Sequence, residues 1–588
     1  MRVRTLLFVV TAVVALCTLD PAYADDADQL DLAAMVARDV SPMAPVIERF
    51  EADRGALERK YAVRASQVHR DRLERFFAGW LTALEAMPFE TLSHEAQIDW
   101  LLLKNEVARA RARLRMDARH YADAAPFLPF AEAIITLAES REQLPPIEAA
   151  AVADRLTALA AAVKDAERVQ REAIDGPHDA RPTPAACRRA LRLLDDLHLD
   201  LRAWQRFRNG YDPIFTWWTE VPYREADGAL ESYARMLRER GVGQTAENRD
   251  VIVGTPIGRD ALLEELAFEW IPYAPEELLA IADREFAWCE LELRKAAAAM
   301  GRGDDWKAVL EAVKRAYVEP GAQPAVIRDL AAEAVAFLKA RDLITVPPLV
   351  EETWRMEMMS PARQLVTPFF TGGEVISISF PTSSMGHEQK LMSMRGNNIH
   401  FARATVFHEL VPGHHLQQFA EARFKTWRSA FRTPFWTEGW ALHWEMLMWD
   451  EGFGDTPERR VAMLFWRIHR AARIMFSLRY HLGEMSPDEC VELLVTRVGH
   501  ERANAEGEVR RSISGDYGAL YQVAYMIGGL QFRALHRDLV ASGTMTNREF
   551  HDRVLQEHNI PVEFVRAILL HEPLRRNQAA SWRGIDAP

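Results

Sequence analysis

The stretch Thr405-Val-Phe-His408-Glu409-Leu-Val-Pro412-Gly413-His414-His415-Leu-Gln417 contains the residue types of a zinc hydrolase. A histidine followed by a glutamate on an apolar helix can supply a metal ligand and, beside it, a general base. The usual spacing, H-E-x-x-H, sets two imidazoles four residues apart on one helical face. Here the fourth position after His408 is Pro412. On an ideal helix the sixth residue lies about 240° round from the first, and the seventh regains the face only about 10.5 Å further along. Neither His414 nor His415 can then share a metal with His408. Pro412 prevents an ideal helix, because it lacks an N–H and its ring clashes with the carbonyl four residues back. Gly413 tolerates the irregular backbone that follows. A bulge of two extra residues at Pro-Gly is expected to swing His414 beside His408, leaving His415 as a structural neighbour.

A catalytic zinc takes three protein ligands and keeps one position open. Glu438, 24 residues after His414, is the candidate third ligand, with Glu445 as the fallback on the same helical face. The expected centre is one Zn2+ held by His408, His414 and Glu438, with Glu409 as general base toward the attacking water. A tetrahedral oxyanion needs a donor besides the metal; Tyr525 is the first choice and His443 the second. Arg510 and Arg511 are candidates to pair with a peptide carboxylate. They sit in the charged run Glu501 to Arg511, which reads most simply as a solvated helix face. Tyr525 itself lies on an apolar face that suits ordinary core packing.

The pattern H-E-x-x-P-G-H-x-x-Q, followed by T-E-G-W-A, resembles the bacterial domain-of-unknown-function family 885, a group read as metallopeptidases. His408, Glu409, Pro412, Gly413, His414 and Gln417 match the first element, and Thr437, Glu438, Gly439, Trp440 and Ala441 the second. The sequence is similar also to dipeptidyl peptidase III enzymes, whose zinc helix carries one extra residue between its histidines. The resemblance spans most of the chain, weakly in the N-terminal part and strongly from about 370 to 530. It implies a large two-lobed helical zinc-peptidase fold of the gluzincin kind. Two departures stand out. The family usually has Tyr where this chain has His443, and it tends to carry P-G-Q-A-x-x-Y-x-x-G. Aligned on Tyr525 and Gly528, this chain has Ala519, Leu520 and Tyr521 in place of Pro, Gly and Gln. These departures leave the metal motifs intact and bear on substrate specificity.

Helices must position these residues. Apolar residues recur at three- and four-residue steps over 73–84, 94–114, 147–174, 185–207 and 223–240, and a helix from Pro275 is closed by Gly301. After Pro347-Pro348 the alternating, β-branched stretch Gly373 to Phe380 is the best strand candidate, placed to hold a substrate backbone as an added strand. Helical patterning returns over 398–425, 437–449, 456–482, 486–499, 519–539 and 546–557. The fold class is therefore mainly α with one small β-sheet near the active site. The expected organisation is a signal peptide at 1–24, a helical N-terminal lobe at 25–345 and a helical catalytic lobe at 346–588.

Over 588 residues, 49% hydrophobic and 27% charged residues exclude a disordered chain, a fibrous repeat and a polytopic membrane protein. A net charge of −13 argues against nucleic acid as the main partner. Arg2 and Arg4, the apolar run Leu6 to Leu19 and the Ala22-Tyr23-Ala24 site form a secretory signal pattern. Export to the periplasm or beyond follows, with no stable membrane insertion after cleavage; the rival is a lipoprotein anchored at Cys17. Cys187, Cys289 and Cys490 then remain as buried free thiols. The functional expectation is an exported zinc peptidase acting on short peptides, as an oligopeptidase or carboxypeptidase. A zinc hydrolase of a non-peptide amide or ester and a non-catalytic binding protein of the same fold are the alternatives.

Overall fold

The computed structural model describes residues 40–586, apart from 246–250, 365–366, 368 and 516. The signal pattern and Cys17 lie outside the described residues. The fold is mainly α, as expected: the described chain is a succession of helices interrupted by one two-stranded sheet. Local signals set many helix starts. The side chains of Ser66, Ser93, Thr183, Asp212, Asn398, Thr433, Thr456 and Thr546 each accept a hydrogen bond from the first turn. Proline stands in the first turn of the Pro184–Arg208, Pro213–Met236, Pro275–Ala299, Pro434–Asp450 and Pro457–Leu482 helices, where no N–H is missed. The helix expected from Tyr223 begins ten residues earlier at Pro213, capped by Asp212, and accommodates Pro222 in its interior. Helices at Ala44–Lys60, Ala131–Gln143, Gln323–Ala340 and Val562–Leu570, among others, carry patterns that the sequence reading did not assign.

Pro457–Leu482 is the central helix. Every residue from Val461 to Leu478 is buried, so it is surrounded on all sides. Each of its inward arginines meets a carboxylate. Arg467 pairs with Glu285 at 2.8 Å, Arg470 with Glu445 at 3.1 Å and Arg473 with Glu508 at 2.6 Å. The largest apolar cluster surrounds this helix and runs from Met43 to Leu569. A second cluster joins the helices between Val63 and Val242. A third seats Ile376 and Ile378 against Ala402, Val406 and Leu410. The sheet thus backs the helix that carries His408. Cys187, Cys289 and Cys490 are buried free thiols. No described helix is long and apolar enough to cross a membrane.

The strand expected at Gly373 to Phe380 is present as β2 (Val375–Ile378), pairing in parallel with β1 (Arg355–Met358). Substrate addition to β2 is corrected by its neighbours. One edge is taken by β1, and on the other side Ser377 exchanges backbone hydrogen bonds of 2.8 and 3.2 Å with Thr371.

Several histidines are buried in neutral form. Burial pushes His500 and His551 down to about 3, and His481 to about 4. An unfolded chain takes up protons at these sites below about 6.5, whereas the folded chain does not. Their contribution is complete above that value and is lost as pH falls toward the folded values. Stability should drop by up to about 2 kcal/mol for each of His500 and His551 between pH 7 and pH 5. Calorimetric melting at pH 7, 6 and 5 checks this, and a melting temperature flat across that range would contradict it.

Candidate metal centre

The motif helix ends where the proline demands. Ile399–Glu409 stops at Glu409, the chain turns through Leu410–Gly413 with a cis Val411–Pro412 bond, and a second helix, His414–Glu421, begins. The expected two-residue bulge is therefore a complete break between two helices. The Gly413 N–H reaches back to the Phe407 carbonyl at 3.0 Å, and the His415 N–H donates to the Leu410 carbonyl at 3.0 Å. A Cβ on Gly413 would stand 1.8 Å from the His408 carbonyl oxygen, so only glycine permits this return. The turn carbonyl of Pro412 accepts from the Trp440 indole at 2.8 Å, tying it to the next helix, Pro434–Asp450.

This geometry puts the two imidazoles together, their ring centroids 4.9 Å apart and nearly perpendicular. Each ring turns its Nδ1 toward a neighbouring side-chain oxygen. That of His408 lies 2.7 Å from Glu445 Oε1, and that of His414 lies 3.2 Å from Gln417 Oε1. Both Nε2 atoms then converge on Glu438 Oε2, at 3.7 Å for His408 and 3.3 Å for His414. Tyr521 donates its hydroxyl to the other carboxylate oxygen, Oε1. Glu438 Oε2 is buried with no hydrogen-bond partner. An orphaned carboxylate oxygen facing two imidazole nitrogens is costly unless a cation completes it. One ligand atom from each of His408, His414 and Glu438 lies within 4.8 Å of the others, the only such group of three or more among the described residues. The donor set, two imidazoles and a carboxylate with Nδ1 anchored on each ring, fits a divalent metal such as zinc.

The charges of the metal-free site agree. Burial alone would push Glu438 up, but His414 and His408 hold it well below the usual carboxylate range. Burial disfavours charge on His414, yet Glu438 overrides it and lifts the imidazole to about 9. A proton is therefore held where the ligand atoms meet, and a metal would displace it. Burial pushes Glu409 up, offset in part by His408 and His414. Its carboxylate lines the same cavity without belonging to the ligand group. Gly372 packs on the Glu409 backbone so closely that a Cβ would fall 2.2 Å from the Glu409 carbonyl oxygen.

The cavity, about 280 Å3, is walled by Thr371 and Gly372 on one side and by Arg470, Arg473, Arg511, Tyr517, Tyr521 and Tyr525 on another. Tyr521 and Tyr525 arrive on Tyr521–His536, which crosses Pro434–Asp450 at two glycines. A Cβ on Gly528 would meet the Phe435 carbonyl oxygen at 1.9 Å, and one on Gly439 would meet Gly528 at 2.6 Å. That close crossing sets Tyr521 and Tyr525, one turn apart, over Glu438 and His408. The Tyr525 ring lies 6.3 Å from that of His408, nearly parallel, with the Arg473 guanidinium 4.3 Å from its own centroid. Burial and Glu438 push its phenol well up, so it stays a hydrogen-bond donor.

The structure therefore gathers His408, Glu409, His414, Glu438, Tyr525 and Arg511 around one cavity. It does not bring in His443 or Arg510. His443 points away from the ligands, its Nε2 3.0 Å from that of His551, because five residues beyond Glu438 a helix presents a different face. Arg510 lines a separate cavity with Pro361 and Gln389. The run Glu501 to Arg511 is not a solvated face: Glu508 and Arg511 are buried in the Arg502–Ile513 helix. His415 donates from Nε2 to the Val350 carbonyl, 2.9 Å away, and Glu445 orients His408 instead of replacing Glu438. Tyr521, Arg470, Arg473 and Glu508 were missed. Tyr521 had a signal, one turn before Tyr525. So did Arg470 and Arg473, which with Arg467 place arginines at three-residue steps among the apolar residues of one helix.

A mainly helical chain with a two-histidine, one-glutamate centre at a broken helix defines the class. The chain belongs to the family described as "Bacterial protein of unknown function (DUF885)", which matches residues 53–569. Among solved structures it is similar to "a putative lipoprotein of unknown function from Shewanella oneidensis", at 16% identity and a TM-score of 0.64, covering 90% of this chain and 100% of that one. It also matches "the putative lipoprotein from Colwellia psychrerythraea", at 16% identity and a TM-score of 0.48, over 72% of this chain and 77% of that one. No curated protein matches. The Shewanella structure establishes a shared fold.

Proposed function

We propose that the protein is an exported zinc-dependent peptidase acting on short peptides. The observation that carries this reading is the convergence of His408 Nε2, His414 Nε2 and the orphaned Glu438 Oε2, with Glu409 beside them in the cavity wall. Zinc in such a site supplies Lewis-acid polarisation of the scissile carbonyl and favours deprotonation of the attacking water. Glu409 would accept the water proton and return it to the leaving nitrogen. Tyr525 would donate its hydroxyl hydrogen bond to the oxyanion. Tyr521 and Glu445 would hold Glu438 and His408 in place. A site that held only a structural metal would need no carboxylate beside its ligands, which favours an enzyme over a binding protein.

Mass-spectrometric analysis of a mixed peptide library incubated with zinc-loaded protein tests the reading. New fragments are expected, and they should be absent after chelation. An unchanged library at full zinc occupancy would remove the peptidase reading in favour of an amide or ester hydrolase, or of a binding protein.

Export rests on the first 24 residues and draws support from the Shewanella neighbour, described as "a putative lipoprotein". Material recovered from the periplasm should have the intact mass of a chain beginning at Asp25. A diacylated species beginning at Cys17 would replace this with a membrane-anchored protein.

A further inference from the structure

The cation wall of the cavity carries more positive charge than its own acids neutralise. Arg470 is matched by Glu445. Arg473 and Arg511 share a single carboxylate, Glu508, at 2.6 and 3.0 Å. All three are buried: Glu508 is 0% exposed, Arg473 1% and Arg511 8%. His469 and His500, which pack beside them, are held neutral by burial. With a divalent metal in place, Glu409 and Glu438 balance the metal, so among the described residues one positive charge on this wall is left over. Arg473 Nη1 is buried with no hydrogen-bond partner. Two buried guanidinium groups that share one carboxylate leave positive charge in a protein interior incompletely paired, which is costly. It is relieved when a ligand brings the missing carboxylate.

We propose that Arg473 and Arg511 bind a carboxylate of the substrate, so that the enzyme selects peptides that present one beside the scissile bond. Both side chains line the cavity that holds His408, His414 and Glu438, so the bound carboxylate and the reacting carbonyl belong to one ligand. Tyr517, with the Arg511 guanidinium 5.5 Å from its ring, and Tyr525 give that segment an aromatic flank. The carboxylate can be the peptide C-terminus, which would make the enzyme a carboxypeptidase, or an Asp or Glu side chain.

The inference rests on the cavity being a peptide cleft, and the test separates the two. Binding to zinc-loaded Glu409→Gln protein is measured by calorimetry for N-acetyl-tri-alanine as the free acid and as its C-terminal amide. Two further amides end in Asp or Asn. At least one acid is expected to bind roughly tenfold or more tightly than its neutral counterpart. A preference for the free acid marks the C-terminus, and one for the Asp amide marks a side chain. Arg511→Gln in the same background should abolish the preference, and Arg511→Lys should restore part of it. Equal binding of acids and neutral amides would overturn the proposal, as would a preference that survives Arg511→Gln. If Arg511→Gln does not fold, the comparison in the Arg511-intact protein decides. If wild type cleaves none of these peptides, the hydrolase reading falls, and the same titration on wild type still decides whether a carboxylate is bound.

Discussion

Glu409→Gln is expected to keep its zinc and its peptide affinity while turnover falls by roughly two to four orders of magnitude. Glutamine preserves the shape of the side chain and its capacity to hydrogen-bond, but it cannot take a proton. Glu409 ends the Ile399–Glu409 helix next to a ligand, lines the cavity, and is left out of the group of atoms that converge on one point. That placement suits the proposed base better than a fourth ligand. Burial raises its carboxyl from the ordinary range, which brings its basicity closer to that of the proton it must exchange near neutral pH. Single-turnover kinetics beside elemental analysis of the same samples reads both quantities. Loss of zinc in proportion to activity would make Glu409 a ligand and undo the division of roles.

Replacement of the ligands should have the second large effect. His414→Ala and Glu438→Ala each remove one of three protein donors, and most of the metal should be lost at neutral pH. Glu445→Gln should weaken zinc binding less, by roughly ten- to a hundredfold, since Glu445 only fixes the ring of His408 through Nδ1. His415→Ala should keep the metal, because its ring is engaged with the backbone at Val350. Competition with a calibrated chelator measures all four. Full zinc in His414→Ala with loss in His415→Ala would reverse the assignment of the histidines.

Much of this centre was legible in the sequence because the signals are chemical and local. Pro412 and Gly413 force a departure from the helix within one turn of His408, and only one histidine of the pair His414-His415 can then face back. The form of that departure was not legible. A bulge and a full break satisfy the same local constraints, and the choice is made by Trp440, which binds the turn from another helix. The same limit explains His443 and Tyr521. Both lie near a motif in sequence, but which of them reaches Glu438 depends on where two helices cross. That crossing is set by the contact of Gly439 with Gly528, 89 residues apart. Arg510 and Arg511 show it at the scale of one residue. A charged run reads as solvated until the buried partner, Glu508, is seen to lie within the run itself. Helix existence was recovered best where caps and prolines punctuate the chain, as at Thr456-Pro457. It was missed where tertiary burial supplies the stability, as at Gln323–Ala340.

X-ray absorption at the zinc edge, on protein loaded with one equivalent of zinc, tests the metal centre most directly. The expected first coordination sphere contains two imidazole nitrogens and otherwise oxygen, with no sulfur, and loses one imidazole in His414→Ala. A sphere with three or more imidazoles, a sulfur ligand, or a wild-type protein that fails to retain zinc through gel filtration would contradict a centre built from His408, His414 and Glu438.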